Sequence, residues 1–231
     1  MALLQAIRRI APSANTADNT APEAVDADRD GNLFQGPDYI QRSIARGLGG
    51  RATVGAFSTG ITGGGAGTIL DQDQPEISIS VADGYVMQIN EIRVQCHVPL
   101  LATDADECEI LVALDRAAAQ DGTGTATAET VYNMRTDLGT SGPAGLTIRS
   151  AYTADATNPT LAVELARKVI TGDVQGTAAN GMFNQLDLVY APERPDYIVG
   201  PACVYVYWGG TVAVPGFAQV SVVVRPEGSV V

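Results

Sequence analysis

A chain of 231 residues holds one all-β domain with an extension, or two small domains, and is long enough to bury a sizeable core. Apolar residues make up 45% against 17% charged, which excludes a largely disordered chain, and a formal net charge of −12 disfavours a surface that binds nucleic-acid phosphates. Three cysteines (Cys96, Cys108 and Cys203) with no Cys-x-x-Cys pair suggest neither a disulfide framework nor a zinc ribbon, and read as small buried hydrophobes.

In chain order, "MALLQAIRRI" comes first. It carries Arg8 and Arg9 without an apolar core run, so it does not read as a secretory signal. No segment approaches the roughly 20 apolar residues of a membrane span. Leu3, Ile7 and Ile10 fall on one helical face, giving a short amphipathic helix. A small, polar stretch with two prolines follows, and it cannot bury a core of its own.

Within that stretch, "DADRDGN" spaces Asp26, Asp28, Asp30 and Gly31 as the opening of a calcium loop. The position that needs a bidentate carboxylate falls on Pro37, with Asp38 one place too late, and no helix precedes the loop. The motif therefore reads as a polar turn. The alternative is a structural calcium site, completed by a carboxylate elsewhere, that staples this segment to a subunit. "PDYIQRSIARGLGG" predicts another short helix with Tyr39, Ile40 and Ile44 on one face and glycines at its end. "TGITGGGAGT" (59–68) reads as a connector. It is no phosphate-binding loop, since no Gly-Lys-Ser/Thr follows. Residues 1–70 are thus expected to form an extended arm with short helices, and 71–231 a β domain.

From residue 75 the apolar period becomes two. "EISISV" alternates, and "YVMQINEIRVQCHV" alternates through Tyr85, Met87 and Ile89, slips at Asn90-Glu91, then resumes through Ile92, Val94, Cys96 and Val98. A single slip in strict alternation signals a β-bulge. Further strands are expected at 108–114, 129–136, 146–150, 184–190, 202–208, 211–216 and 218–226, separated by Gly- and Pro-rich turns. "PTLAVELARKVITG" (159–172) fits either a helix or a strand. The pattern predicts an all-β fold, an antiparallel β-sandwich of jelly-roll type.

Catalytic constellations are sparse. His97 is the sole histidine and is expected to face outward, opposite Cys96. No Gly-x-Ser-x-Gly elbow occurs. Asp104, Asp106, Glu107 and Glu109 cluster ahead of an apolar strand, as a solvated loop would. No enzyme, no catalytic residue and no cofactor are expected, calcium apart. "YVYWGG" places Tyr205 and Tyr207 on one strand face with Trp208 beside a turn, a set that suits either core or a subunit interface.

With the arm "MALLQAIRRIAPSANTADNTAPEAV", the scarcity of lysine (Lys168 alone), and the C-terminal "GPACVYVYWGGTVAVPGFAQVSVVV", the chain resembles jelly-roll capsid and capsid-decorating (cement) proteins of bacteriophages and related viruses. The resemblance spans the chain as architecture and carries over no functional residue. It implies a virion protein assembled in the host cytoplasm as a homo-oligomer, often a trimer, bound to a major capsid protein or other shell proteins. Neither nucleic acid nor membrane is an expected partner. Residues 11–38 contain five Asp, one Glu and the single Arg29, so the arm suits contacts with protein rather than with a packaged genome. The expected interface residues are Leu3, Ile7, Ile10, Tyr39, Ile40, Tyr205, Tyr207 and Trp208. Two other readings remain open. One is a carbohydrate- or receptor-binding sandwich of a fibre or spike, with a sugar site near Trp208 or the Asp-rich loops. The other is a hydrolase with paired carboxylates.

Overall fold

A computed structural model of the chain describes residues 39–56, 59–63, 70–72, 74–98, 106–116, 125–153, 163–172, 184–210 and 213–229. The chain divides into two units, Met1–Arg42 and Ser43–Val231. Of the first, the described residues are 39–42, the opening of helix α1 (Tyr39–Ala45).

The second unit is built from antiparallel strands: β1 (Gly49–Val54), β2 (Ile61–Gly63), β3 (Ile77–Val81), β4 (Tyr85–Val98), β5 (Asp106–Asp115), β6 (Thr127–Ala128), β7 (Tyr132–Asn133), β8 (Leu146–Ser150), β9 (Val163–Gly172), β10 (Asn184–Tyr190), β11 (Ile198–Val199), β12 (Ala202–Gly210) and β13 (Val214–Pro226). One sheet has seven strands in the order β10-β4-β13-β1-β7, with β11 on β4 and β2 on β13. The other has six, in the order β6-β8-β3-β12-β5-β9.

Eight of these strands pair as nested shells. The first pairs with the last (β1 with β13), then β3 with β12, β4 with β10 and β5 with β9. Two further pairings, β13 with β4 and β12 with β5, assign the nested pairs to two sheets. Eight strands wound this way make a jelly roll, the architecture expected from the strand pattern.

The sandwich closes on inward side chains from both sheets. Ile77, Ile79, Ile110, Val112, Val204, Val206 and Trp208 come from one, and Ala52, Val54, Met87, Ile92, Val94, Val220 and Val222 from the other. The bulge stands where the alternation slips. Ser221 faces Glu91 and Val222 faces Ile89, leaving Asn90 as the extra residue. Its side-chain amide donates to Ser221 Oγ at 3.2 Å. Because of that one residue, Ile89 and Ile92 both point inward.

Several local expectations are revised. Strands β1 and β2 fall before residue 71, in a stretch expected to be irregular. "ETVYNMRT" (129–136) keeps only Tyr132–Asn133 as strand, because Asn133 turns the chain. Its amide donates to the carbonyls of Gly47 (2.8 Å) and Ser141 (3.0 Å), while its Oδ1 accepts from the Arg135 N–H at 2.9 Å. Residues 214–216 and the stretch 218–226, expected in two strands, belong to the continuous β13. Pro215 is tolerated there because it pairs only with the short outer strand β2, opposite Thr62, and the pairing with β4 begins at Gly216. The open choice at 159–172 resolves as strand β9, with a register shift opposite Val112/Ala113. Val163, Leu165 and Ala166 pack on the core there.

Candidate functional site

The outer faces of the two sheets differ. On the six-stranded sheet, Leu111, Ala113, Cys203, Tyr205 and Tyr207 form a second apolar cluster, with Leu70 packed on it. Tyr207 Oη donates to the Gln72 carbonyl at 3.1 Å, and the Ser78 and Tyr152 hydroxyls meet at 2.7 Å. Residues 70–72 and 152 therefore help to cover this face. On the seven-stranded sheet, one end of the outer face is closed. Ser221 lies against Met134 there, and the Tyr197 ring lies over the buried Arg225 guanidinium at 5.2 Å.

The other end is open. Strand register fixes a grid of side chains on it. Thr53, Gln219, Arg93 and Val189 lie in one row across β1, β13, β4 and β10. Phe217, Gln95 and Asp187 lie in the next, and His97 and Gln185 in a third. Neighbours stand roughly 5 Å apart between strands and roughly 7 Å along them. A groove of about 410 Å³ runs over the first two rows, lined by Thr53, Gly55, Arg93, Gln95, Phe217 and Gln219.

Phe217 is held in place from two sides. The His97 ring stands 5.8 Å away, tilted by 57°. On the other side Gly55 adopts φ +96°, which favours glycine, and a Cβ there would press on the Phe217 ring at 3.0 Å. The groove's one charge is Arg93, whose guanidinium pairs with Glu91 at 3.1 Å. Gln185 donates to Asp187 Oδ1 at 2.9 Å, and Lys168 Nζ reaches across from β9 to the Asp187 carbonyl at 2.6 Å. The Thr53 hydroxyl and the amides of Gln95 and Gln219 make no side-chain hydrogen bond to a described residue.

Inside the core, behind Gly216 and so next to Phe217, Trp208 meets a buried carboxylate. The Glu76 carboxylate accepts the Trp208 backbone N–H at 2.8 Å, and the indole N–H donates to the Ile61 carbonyl at 3.4 Å. None of the three cysteines is in a disulfide, and all three are buried. Hydrogen bonding with Cys108, then burial, push the Cys96 thiol far above the ordinary range, so it stays protonated. Burial likewise pushes the Tyr205 phenol up, with Cys203 adding to it.

The residues picked out from the sequence are not gathered into one place. Asp26, Asp28, Asp30, Leu3, Ile7 and Ile10 lie outside the described residues. Tyr39 opens α1, and Ile40 is half-buried on it. Tyr205, Tyr207 and Trp208 are buried within this chain, at 1%, 1% and 0% exposure, the tyrosines under the outer face of the six-stranded sheet and Trp208 in the main core. Tyr205 and Tyr207 do share a face, with ring centroids 6.2 Å apart. His97 is exposed opposite buried Cys96, as alternation requires. Asp106 and Glu109 belong to β5 itself rather than to a loop before it, and Glu109 pairs with Arg167. Among the described residues, no three His, Cys, Asp or Glu side chains are grouped to hold a metal ion.

No family model matches the sequence, and no curated protein matches it. Among solved structures, a chain described as "KBV activated particle at acidic pH" aligns with 98% of this chain and 84% of its own length, at 10% identity and a TM-score of 0.21. A score that low carries no argument about fold or function.

Proposed function

We propose that the protein is a virion structural component, a capsid-decorating (cement) or minor capsid protein that binds and stabilises a shell through its arm and its β domain. The observation that carries this reading is the strand topology. Nested pairing of eight strands in two sheets is the architecture that recurs in viral capsid domains and in lectins. Since a fold alone does not set a function, a second feature matters. The core is made by residues from Ala52 to Val224, while Met1–Arg42 clusters as a separate unit. By its sequence that unit suits docking on protein: Leu3, Ile7 and Ile10 offer an apolar helical stripe, and the acidic stretch after them repels phosphate. In this reading the chain acts by binding rather than by catalysis, and its first partner is its own copy.

Light scattering behind a sizing column tests it. The full chain is expected as a closed oligomer, a trimer first of all, or as larger particles. A variant lacking residues 1–42 is expected to fold and to lose that assembly. A monomer of 24.0 kDa for the full chain, or undiminished assembly without the arm, overturns the reading. The same topology also serves a major capsid protein. Electron microscopy separates the two, since only a major capsid protein closes shells unaided.

A further inference from the structure

We propose that the groove between β1, β13 and β4 binds a neutral saccharide, with Thr53, Gln95 and Gln219 hydrogen-bonding its hydroxyls and the Phe217 ring lying against its C–H surface. This goes beyond the structural role above and stands or falls independently of it.

Four observations converge. The groove's volume of about 410 Å³ lies within the range of small-ligand clefts, roughly 300–1,000 Å³. Its polar lining is mostly neutral and bifunctional. Each glutamine amide presents donors and an acceptor in one plane, and the threonine hydroxyl does both, which matches hydroxyl groups that also donate and accept. Among the described residues none of the three has a side-chain hydrogen bond that a ligand would have to displace. The aromatic member is oriented before anything binds, by His97 on one side and the Gly55 turn on the other. Preorganisation of that kind lowers the entropic cost of binding.

Charge narrows the class. Arg93 is already paired with Glu91 at the rim, Asp187 stands in the next row, and the chain as a whole carries −12. An anionic glycan would meet one neutralised cation inside a negative field. A neutral hexose or N-acetylhexosamine meets no such barrier. The grid spacing, roughly 5 by 7 Å, lets two rows contact one sugar ring or two linked ones.

The test is a glycan array probed with the labelled full chain, followed by saturation-transfer-difference NMR with the best free saccharide. That NMR signal is read on the ligand and so tolerates an assembled protein. Binding to one group of neutral glycans is expected. The double variant Gln95→Ala/Gln219→Ala is expected to bind about tenfold more weakly, two lost neutral hydrogen bonds. Its melting temperature should be unchanged, because both side chains are exposed. Phe217→Ala is expected to abolish the signal. Silence across the array overturns the proposal, as does a preference for sialylated or sulfated glycans. Binding that persists in the double variant overturns it too. So does a double variant that binds no sugar differently but alters the mass of the assembled protein, which would make this face a subunit contact.

Discussion

Trp208 has a glycine wall. Gly216 on β13 lies flat against the indole, so that an added Cβ would stand 2.5 Å from Nε1 and 2.6 Å from Cε2. Gly216→Ala is therefore expected to destabilise the fold by about 1–3 kcal/mol through overpacking. The readout is urea denaturation followed by Trp208 fluorescence, an unambiguous probe because this is the only tryptophan. A second residue-level prediction concerns alkali. Burial first, with Cys203 adding, raises Tyr205 well above its ordinary 10.0, and burial with Asp196 raises Tyr190. Above pH 10 the unfolded chain loses these protons while the folded chain keeps them, so unfolding releases protons and stability falls as pH rises. Urea melts from about pH 8 to about pH 11 should show the loss beginning near 10, with a shallower slope in Tyr205→Phe. A stability independent of pH across that range would contradict the burial of the phenol. That Tyr205 and Tyr207 share a face is legible from their spacing. That residues 70–72 cover that face is not, because no local pattern links positions so distant in the chain.

The same division holds for elements. β4, β8 and β10 are readable because each alternates cleanly, and the bulge is readable because alternation fails once, at Asn90. β1 is hard to read, since "GGRATV" offers only Ala52 and Val54 as inward apolar side chains and begins with two glycines. β9 mimics a helix, since Leu161, Leu165 and Val169 recur at a spacing that serves either period. The groove is illegible for a different reason. Its residues are ordinary polar side chains on three strands far apart in the chain, and only the register of β13 against β1 and β4 brings them together. That register accommodates one extra residue, Asn90. Deleting it leaves Glu91 opposite Ser221 and Ile89 opposite Val222 with nothing between them, so strict alternation carries Met87, Ile89, Ile92, Val94 and Cys96 inward and Arg93, Gln95 and His97 outward as before. The deletion variant is therefore expected to fold cooperatively with a straightened β4. Asn90→Ala keeps the extra residue and is expected to lose only about 1 kcal/mol, the amide bond to Ser221, as read by urea denaturation. An insoluble deletion variant would show that the bulge itself, and not the inward alternation alone, is needed to seat β4 against β13.

At the scale of the whole molecule, β13 holds the seven-stranded sheet together, pairing with β1, β2 and β4. A chain ending at Ala213 is expected to lose cooperative unfolding and its near-ultraviolet circular dichroism, although eleven of the twelve described strands that remain keep partners of their own. Pairing of such distant segments also predicts slow refolding, on the order of seconds rather than milliseconds, measurable by stopped-flow fluorescence. Nesting has a further consequence during synthesis. Gly49 faces Val223, so the first of the described strands to leave the ribosome is matched with the last of them. At roughly 5–20 residues per second, β1 waits on the order of ten seconds or more with the edge that β13 will take unpaired. Through that interval β4 lacks the strand that will separate it from β1, and its apolar side chains are open to neighbouring nascent chains. Soluble yield should thus respond to translation speed, chaperone supply and growth temperature more than to the equilibrium stability of the finished jelly roll.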